Sequence, residues 1–218
     1  MATTELARLQ AGASQIGCPL DVWQGDQLMA YMALLAKWNR VYNLTAVREP
    51  AEMLTQHLLD SMSIVPQLRR HTGGAAARLL DVGSGGGLPG VVLALVMPEL
   101  DVTCVDAVAK KTSFIQQVAL ELRLPNLHAA HSRVESLNAG AFDIVVSRAF
   151  ASLADFTRLT RHHLAPAGVW LAMKGRHPDD EIAALPADLN VFHVEQLDVP
   201  GLAAERCALW IRPSQDTP

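Results

Sequence analysis

Two hydrophobic periods divide this chain. Up to about residue 72, apolar positions recur at helical spacing. Beyond it, short apolar runs that end in polar or acidic residues alternate with further helical stretches. Leu6, Leu9, Ala13 and Ile16 predict a first helix over residues 3–17, broken at Cys18-Pro19. Asp21 stands where it can cap a second helix running to about Asn39, with Leu28, Met32, Leu35 and Trp38 on its apolar face. A third helix is expected from Glu49-Pro50, with proline in its first turn, and it carries His57-Leu58-Leu59-Asp60-Ser61. Arg69-Arg70-His71-Thr72-Gly73-Gly74 reads as a basic loop, so a boundary is expected near residues 72–77.

Strands are predicted at about 78–82, 102–106, 127–130, 142–147 and 169–174. Helices are predicted at 88–96, 108–122, 153–164 and from about 179. The runs 190–198 and 207–211 have no helix signal between them and are expected to pair as an antiparallel edge. This alternation predicts an α/β fold, a mostly parallel sheet of about seven strands with helices on both faces. A helical extension, residues 1–72, would pack on a domain of residues 73–218. Ligands of such open sheets bind beyond the carboxyl ends of the strands, at the switch point. That rule points to Gly83, Asp106, Ser132 and Ser147.

The glycine-dense stretch Leu79-Leu80-Asp81-Val82-Gly83-Ser84-Gly85-Gly86-Gly87-Leu88-Pro89-Gly90 joins the first strand to a buried helix. Its glycines let backbone approach a ligand and adopt positive φ. Gly85-x-Gly87-x-x-Gly90 fits the dinucleotide fingerprint. Asp81-x-Gly83-x-Gly85-x-Gly87 equally fits the first motif of S-adenosylmethionine methyltransferases. Asp81 favours the second, because a carboxylate there can face a cationic amino-acid group and would repel a pyrophosphate. Asp106 ends the second strand, 23 residues after Gly83. A carboxylate there can accept both hydroxyls of a ribose, which either ligand carries.

Ser132 and Glu135 have the spacing of a capping box, and the same loop lies where an adenine would sit. Ser147-Arg148-Ala149-Phe150 ends the fourth strand, where Arg148 could reach a carboxylate or phosphate with two hydrogen bonds. His57 and Asp60, three apart on a helix, read either as an acid/base pair or as residues that hold a loop. Lys174-Gly175-Arg176-His177, with Arg158, Arg161, His162 and His163, could form a basic rim, or the two arginines could be a solvated helix face.

Composition narrows the classes. The 218 residues are 50% hydrophobic and 18% charged, with a formal net charge of -4, so a general nucleic-acid binder is excluded while a local basic patch is not. Three dispersed cysteines form no C-x-x-C pair, so no metal site is expected, and free thiols fit a reducing cytoplasm. No signal peptide or membrane-length apolar run is seen. With no heptad seam, a monomer is expected.

Trp38-Asn39 with Asn43-Leu44-Thr45-Ala46, His57-Leu58-Leu59-Asp60-Ser61, Asp81 to Gly90, Ser147-Arg148-Ala149-Phe150 and Met173-Lys174-Gly175 together resemble the bacterial 16S rRNA guanine-N7 methyltransferases called RsmG or GidB. The resemblance spans roughly residues 28–176. It departs at Gly86, where that family commonly has alanine or proline. It implies a class I, Rossmann-like methyltransferase fold, S-adenosylmethionine as methyl donor and small-subunit rRNA as partner. Carried over by position, the cofactor would touch Asp81, Gly83, Gly85, Leu88, Asp106, Ala107, Val134, Glu135 and Arg148, and His57, Asp60, Arg148 and Lys174 are candidates for positioning RNA. Rival expectations are a methyltransferase for a protein or small molecule, a NAD-dependent oxidoreductase, and a non-catalytic ribosome-binding factor.

Overall fold

Seven strands form one sheet in the order β3-β2-β1-β4-β5-β7-β6. They are β1 (Ala77–Val82), β2 (Leu100–Asp106), β3 (Leu127–His131), β4 (Phe142–Ser147), β5 (Leu164–Lys174), β6 (Leu189–Gln196) and β7 (Cys207–Pro213). The computed structural model describes residues 2–148, 150 and 152–214; Ala149, part of the Ser-Arg-Ala-Phe run, lies outside the described residues. The strands β3, β2, β1, β4 and β5 are parallel, and β7 pairs antiparallel with both β5 and β6. The chain winds outward from β1 to β3 and then returns to β4 on β1's other side. The switch point is therefore the crevice between β1 and β4, and the Ser147 hydroxyl ties the two strand ends there by donating to the Val82 carbonyl at 2.9 Å.

Strand alternation sorts side chains between two cores. Leu79, Cys104, Ile144, Val146 and Leu171 face one way, onto α6 (Gly90–Val96), α7 (Ala109–Glu121) and the N-terminal helices. Leu80, Val82, Val145, Trp170 and Leu209 face the other way, onto α8 (Leu153–Thr160). The first core is continuous from Leu9 and Leu28 of the helical extension to Trp210 of β7.

The N-terminal part holds α1 (Ala2–Ile16) and α2 (Val22–Tyr42). Asp21 caps α2 in a reciprocal capping box with Gln24, and the helix runs one turn past its expected end before Asn43 closes it at φ 49°. The expected third helix is broken up: α3 (Pro50–Met53) runs into a wide π turn, Leu54–Leu59, and then α4 (Asp60–Met62). The basic loop expected at 69–74 is instead the end of a helix, α5 (Val65–Thr72), closed by Gly73 at φ 61°. Its cations occupy the last turn, where the helix dipole favours them, and Val65 and Leu68 bury its apolar side.

The helix expected over 153–164 stops at Thr160. A 3-10 turn, Arg161–His163, intervenes and β5 begins at Leu164, earlier than expected. The reason is a register shift between Phe142 and Ile144 that lets the extra residues of β5 pair. A Cβ at Gly168 would stand 2.9 Å from the Phe142 carbonyl, so only glycine fits this bulge. The last helix, α9 (Asp179–Ala183), precedes the antiparallel hairpin. No helix among the described residues is long and apolar enough to cross a membrane.

Candidate active site

The glycine loop between β1 and α6 is folded by hydrogen bonds to β2 and within itself. Gly83 and Ser84 donate to the Val105 carbonyl at 2.9 and 3.3 Å, and Gly87 and Leu88 donate to the Ser84 carbonyl at 2.8 and 2.9 Å. Gly83 and Gly85 have φ of 70° and 58°, which a residue with a Cβ would hold only under strain. A further bond comes from the helical extension: the Tyr31 hydroxyl of α2 donates to the Gly86 carbonyl at 2.6 Å. A Cβ at Gly86 would meet Leu35 Cδ1 at 3.0 Å, so this departure from the family pattern lets α2 lie close to the loop.

Asp81 does not face an open site. It is fully buried; its Oδ2 accepts from the Gly90 amide at 2.8 Å, and Oδ1 has no partner. Burial pushes its pKa up to about 7 against the opposing pull of the Gly90 amide. Its work is to fix the start of α6 against β1, and any influence on a ligand passes through the loop. Leu88 is likewise buried and outside both clefts described below.

A cleft of about 370 Å³ opens at the carboxyl ends of β1, β2 and β3. It brings together Gly83, Asp106, Ala107, Val134 and Glu135, with Phe150 and Leu159 as apolar wall. Leu159 was missed in the sequence because it belongs to the helical period of α8. Asp106 accepts from the Gly85 amide at 3.1 Å and Lys111 Nζ at 3.3 Å on Oδ2, and from the Val108 amide at 2.9 Å on Oδ1. Lys111 of α7 is therefore an ion-pair partner of the site. A carboxylate has about four acceptor positions, so one on Oδ1 stays open. Gly85 reaches the cleft only through Asp106. The capping box expected from Ser132 and Glu135 does not form: Ser132 Oγ donates to the Arg133 carbonyl, and Glu135 sits exposed in a 3-10 turn, Val134–Ser136.

A second cleft, about 340 Å³, lies beside the ends of β4 and β5. His57, Asp60, Arg148 and Lys174 all line it, joined by Arg206 from the connection between β6 and β7. Asp60 is buried between two guanidiniums, taking Arg206 Nε at 2.8 Å on Oδ1 and Arg148 Nη1 at 3.1 Å on Oδ2. Arg148 Nη1 also donates to the Gln56 carbonyl at 2.8 Å. His57 is not paired with Asp60. Its Nε2 meets Thr45 Oγ1 at 2.8 Å, and burial, reinforced by Arg148, lowers its pKa to about 4. Of its two expected roles the loop-holding one matches this geometry. Lys174 is matched by both carboxylate oxygens of Glu181 at 3.0 and 2.8 Å.

The expected basic rim is partly matched by acids, with Arg176 and His162 left exposed. Arg158 and Arg161 pair with Asp155 and Asp188, and His163 is buried with Nε2 on the Val134 carbonyl. Among the described residues no group of His, Cys, Asp and Glu is arranged to hold a metal.

The model of the rRNA small subunit methyltransferase G family, GidB, matches residues 24–209, a span that includes both clefts and runs from within α2 to within β7. The chain belongs to that family. Individual relatives are similar over most of its length. The chain is 66% identical over 213 residues to the ribosomal RNA small subunit methyltransferase G of Acidovorax ebreus, covering 94% of each. It is 61% identical over 205 residues to that of Leptothrix cholodnii, again covering 94% of each. Among solved structures it resembles the 1,6-didemethyltoxoflavin-N1-methyltransferase of Burkholderia thailandensis, crystallised with S-adenosylhomocysteine. The TM-score is 0.57 at 14% identity, over 85% of this chain and 90% of that one. At that identity the likeness establishes the class I methyltransferase fold, which this family member shares.

Proposed function

We propose that this protein transfers the methyl group of S-adenosylmethionine to N7 of a guanosine in 16S rRNA, acting as a cytoplasmic monomer on the small subunit or its rRNA. The observation that carries the reading is the convergence of Gly83, Asp106 and the Val134-Glu135 turn on one cleft, next to a second cleft built on guanidiniums. The cofactor fits the first. Where a Cβ would stand at Gly83 there is open space, and Asp106 keeps an acceptor free for a ribose hydroxyl. The apolar Phe150 and Leu159 and the polar edge of Glu135 suit an adenine face and its amino group.

When bound, the cofactor supplies an electrophilic methyl group on a sulfonium. The chain's own residues need only align and shield the reacting atoms. Guanine N7 carries no proton and presents a lone pair in the ring plane, so no general base is required. The second cleft agrees with that demand. With a pKa of about 4, His57 is neutral at pH 7, and both oxygens of Asp60 are held by guanidiniums. Neither group is poised to remove a proton. Arg148 and Arg206 together carry two positive charges against the one negative charge of Asp60, so the cleft retains net attraction for a phosphate.

The test is calorimetric titration with S-adenosylmethionine and, separately, with NAD, followed by mapping of N7-methylguanosine in 16S rRNA. Micromolar S-adenosylmethionine binding, lost in Gly85→Asp, and methylation at one guanosine are the expected results. The Gly85 substitution adds a carboxylate at φ 58° beside Asp106. Tight NAD binding with none for S-adenosylmethionine would overturn the reading.

A further inference from the structure

The last turn of α2 leads into the segment that reaches the second cleft. Leu28, Tyr31, Leu35, Asn39 and Tyr42 follow one another at helical spacing along the face that meets the sheet side. The first four are buried and Tyr42 is 41% exposed. The helix passes the glycine loop at Tyr31 and Leu35, which touch Gly86, and Tyr42 stands seven residues further on. At a rise of about 1.5 Å per residue that is roughly 10 Å past the loop. The chain then turns at Asn43 and reaches Thr45, the hydrogen-bond partner of His57 in the second cleft. The Tyr42 ring is held from behind: it packs on Trp38 at 5.2 Å, and Trp38 packs on the buried Phe114 at 5.5 Å. Its hydroxyl has no hydrogen-bond partner among the described residues. Val41, beside it, is exposed as well.

Cations predominate in the chain on either side of this ring, up to the exposed Glu49 that follows Arg48. From Gln27 to Arg48 the chain carries Lys37, Arg40 and Arg48 and no acid. All three are exposed, and none forms a salt bridge among the described residues. Lys110 is exposed one turn before Phe114 on α7. This contrasts with Arg158, Arg161 and Lys174, each already matched by a carboxylate. An exposed aromatic ring backed by a second ring, on a stretch of chain whose cations are unmatched, is the chemistry of single-stranded nucleic-acid binding, where bases stack on the ring and phosphates meet the cations.

We propose that Tyr42, with Arg48 held at the Asn43 turn beside it, is a stacking platform for an unpaired nucleotide of the rRNA next to the methylated guanosine. The proposal rests on the function given above and adds a binding site to it. The platform holds the strand that leaves the cleft, so that the target base is presented without being held by the ring itself.

The test uses the full-length protein, deproteinised 16S rRNA and small-subunit particles. Tyr42→Ala is expected to weaken rRNA binding by about 5- to 100-fold, the range for losing one stacked base, with the affinity for S-adenosylmethionine unchanged. Tyr42→Phe keeps the ring and is expected within about twofold of wild type, because the hydroxyl is unused. Arg48→Gln is expected to reduce the salt slope of rRNA binding by about 0.7, one phosphate contact to a single strand. Arg48→Glu probes the same surface without disturbing the Trp38 contact, so a folding defect in Tyr42→Ala would not protect the idea. Unchanged rRNA affinity in that variant overturns it. So does a loss seen only with particles and not with deproteinised rRNA, which would assign the surface to a ribosomal protein. A wild-type protein that binds S-adenosylmethionine but methylates no 16S rRNA substrate would remove the function reading and this proposal with it.

Discussion

Gly90→Ala tests whether β1, β2 and α6 meet as tightly as the structure shows. A Cβ at Gly90 would overlap Cys104 Sγ and stand 2.8 Å from Asp81 Oδ2, the atom that accepts the Gly90 amide. All three residues are buried, so the added methyl has nowhere to go. Overpacking a close-packed core costs about 1–3 kcal/mol. Weakening a buried hydrogen bond to a carboxyl group adds about 1 kcal/mol or more. The sum, about 2–4 kcal/mol, corresponds to a drop in Tm of roughly 5–15 °C for a chain of this size. Cys104→Ala alone leaves a small void and is expected to cost about 1–2 kcal/mol. In the Gly90→Ala background the same change removes the overlapping sulfur. The double variant is therefore expected to be no less stable than Gly90→Ala alone, a coupling of at least about 1 kcal/mol. Urea unfolding followed by circular dichroism on the four proteins measures this. Two independent costs that add to within about 0.5 kcal/mol would refute the packing argument.

Two buried groups should pull stability in opposite directions with pH. The Asp81 pKa rises from 3.8 to about 7 on folding, so the native state holds the extra proton and stability falls as pH rises through that window. The His57 pKa falls from 6.5 to about 4, so stability is lost as pH falls through that one. Relative to wild type, Asp81→Asn is expected to gain stability by up to about 1.4 kcal/mol per pH unit between pH 4 and 7 and to level off above; a constant offset across that range would contradict the burial argument. Tyr31→Phe leaves the Gly86 carbonyl without its 2.6 Å donor. It is expected to cost about 1–3 kcal/mol in chemical denaturation and to weaken S-adenosylmethionine binding through the loosened loop, whereas an unchanged denaturation midpoint would show that water replaces the hydroxyl.

Local signals carried most of the architecture. Asp21 with Gln24, the apolar run from Val91 to Val96, and the strand ending at Asp106 each specify their element through neighbours in sequence, and each stands within a few residues of its expected place. The clefts were legible where strand ends and glycines mark them, as at Gly83 and Asp106. What escaped was set by distance along the chain. Arg206 meets Asp60 across 146 residues, and no periodicity announces that contact. Lys111 and Arg161 are both helix cations by sequence, yet one completes the Asp106 site and the other pairs with Asp188, because the folded chain decides which carboxylate each can reach. The π turn at Leu54–Leu59 keeps a helical pattern of apolar residues, and within it His57 takes Thr45, not Asp60, as its side-chain partner, which spacing arguments do not register.

The position of β7 has a consequence for how the protein is made. It pairs on one side with β5 and on the other with β6, so β6 touches the sheet only through a strand that follows it in the chain. During synthesis β6 leaves the ribosome before its partner exists, and β5 presents an open edge over the same interval. Both edges close at once when residues 207–213 emerge, the step that also delivers Arg206 to Asp60. Completion of the sheet and assembly of the charged cleft are thus one late event in the life of the nascent chain, and a polypeptide stalled short of that point would expose two unpaired strands to its neighbours.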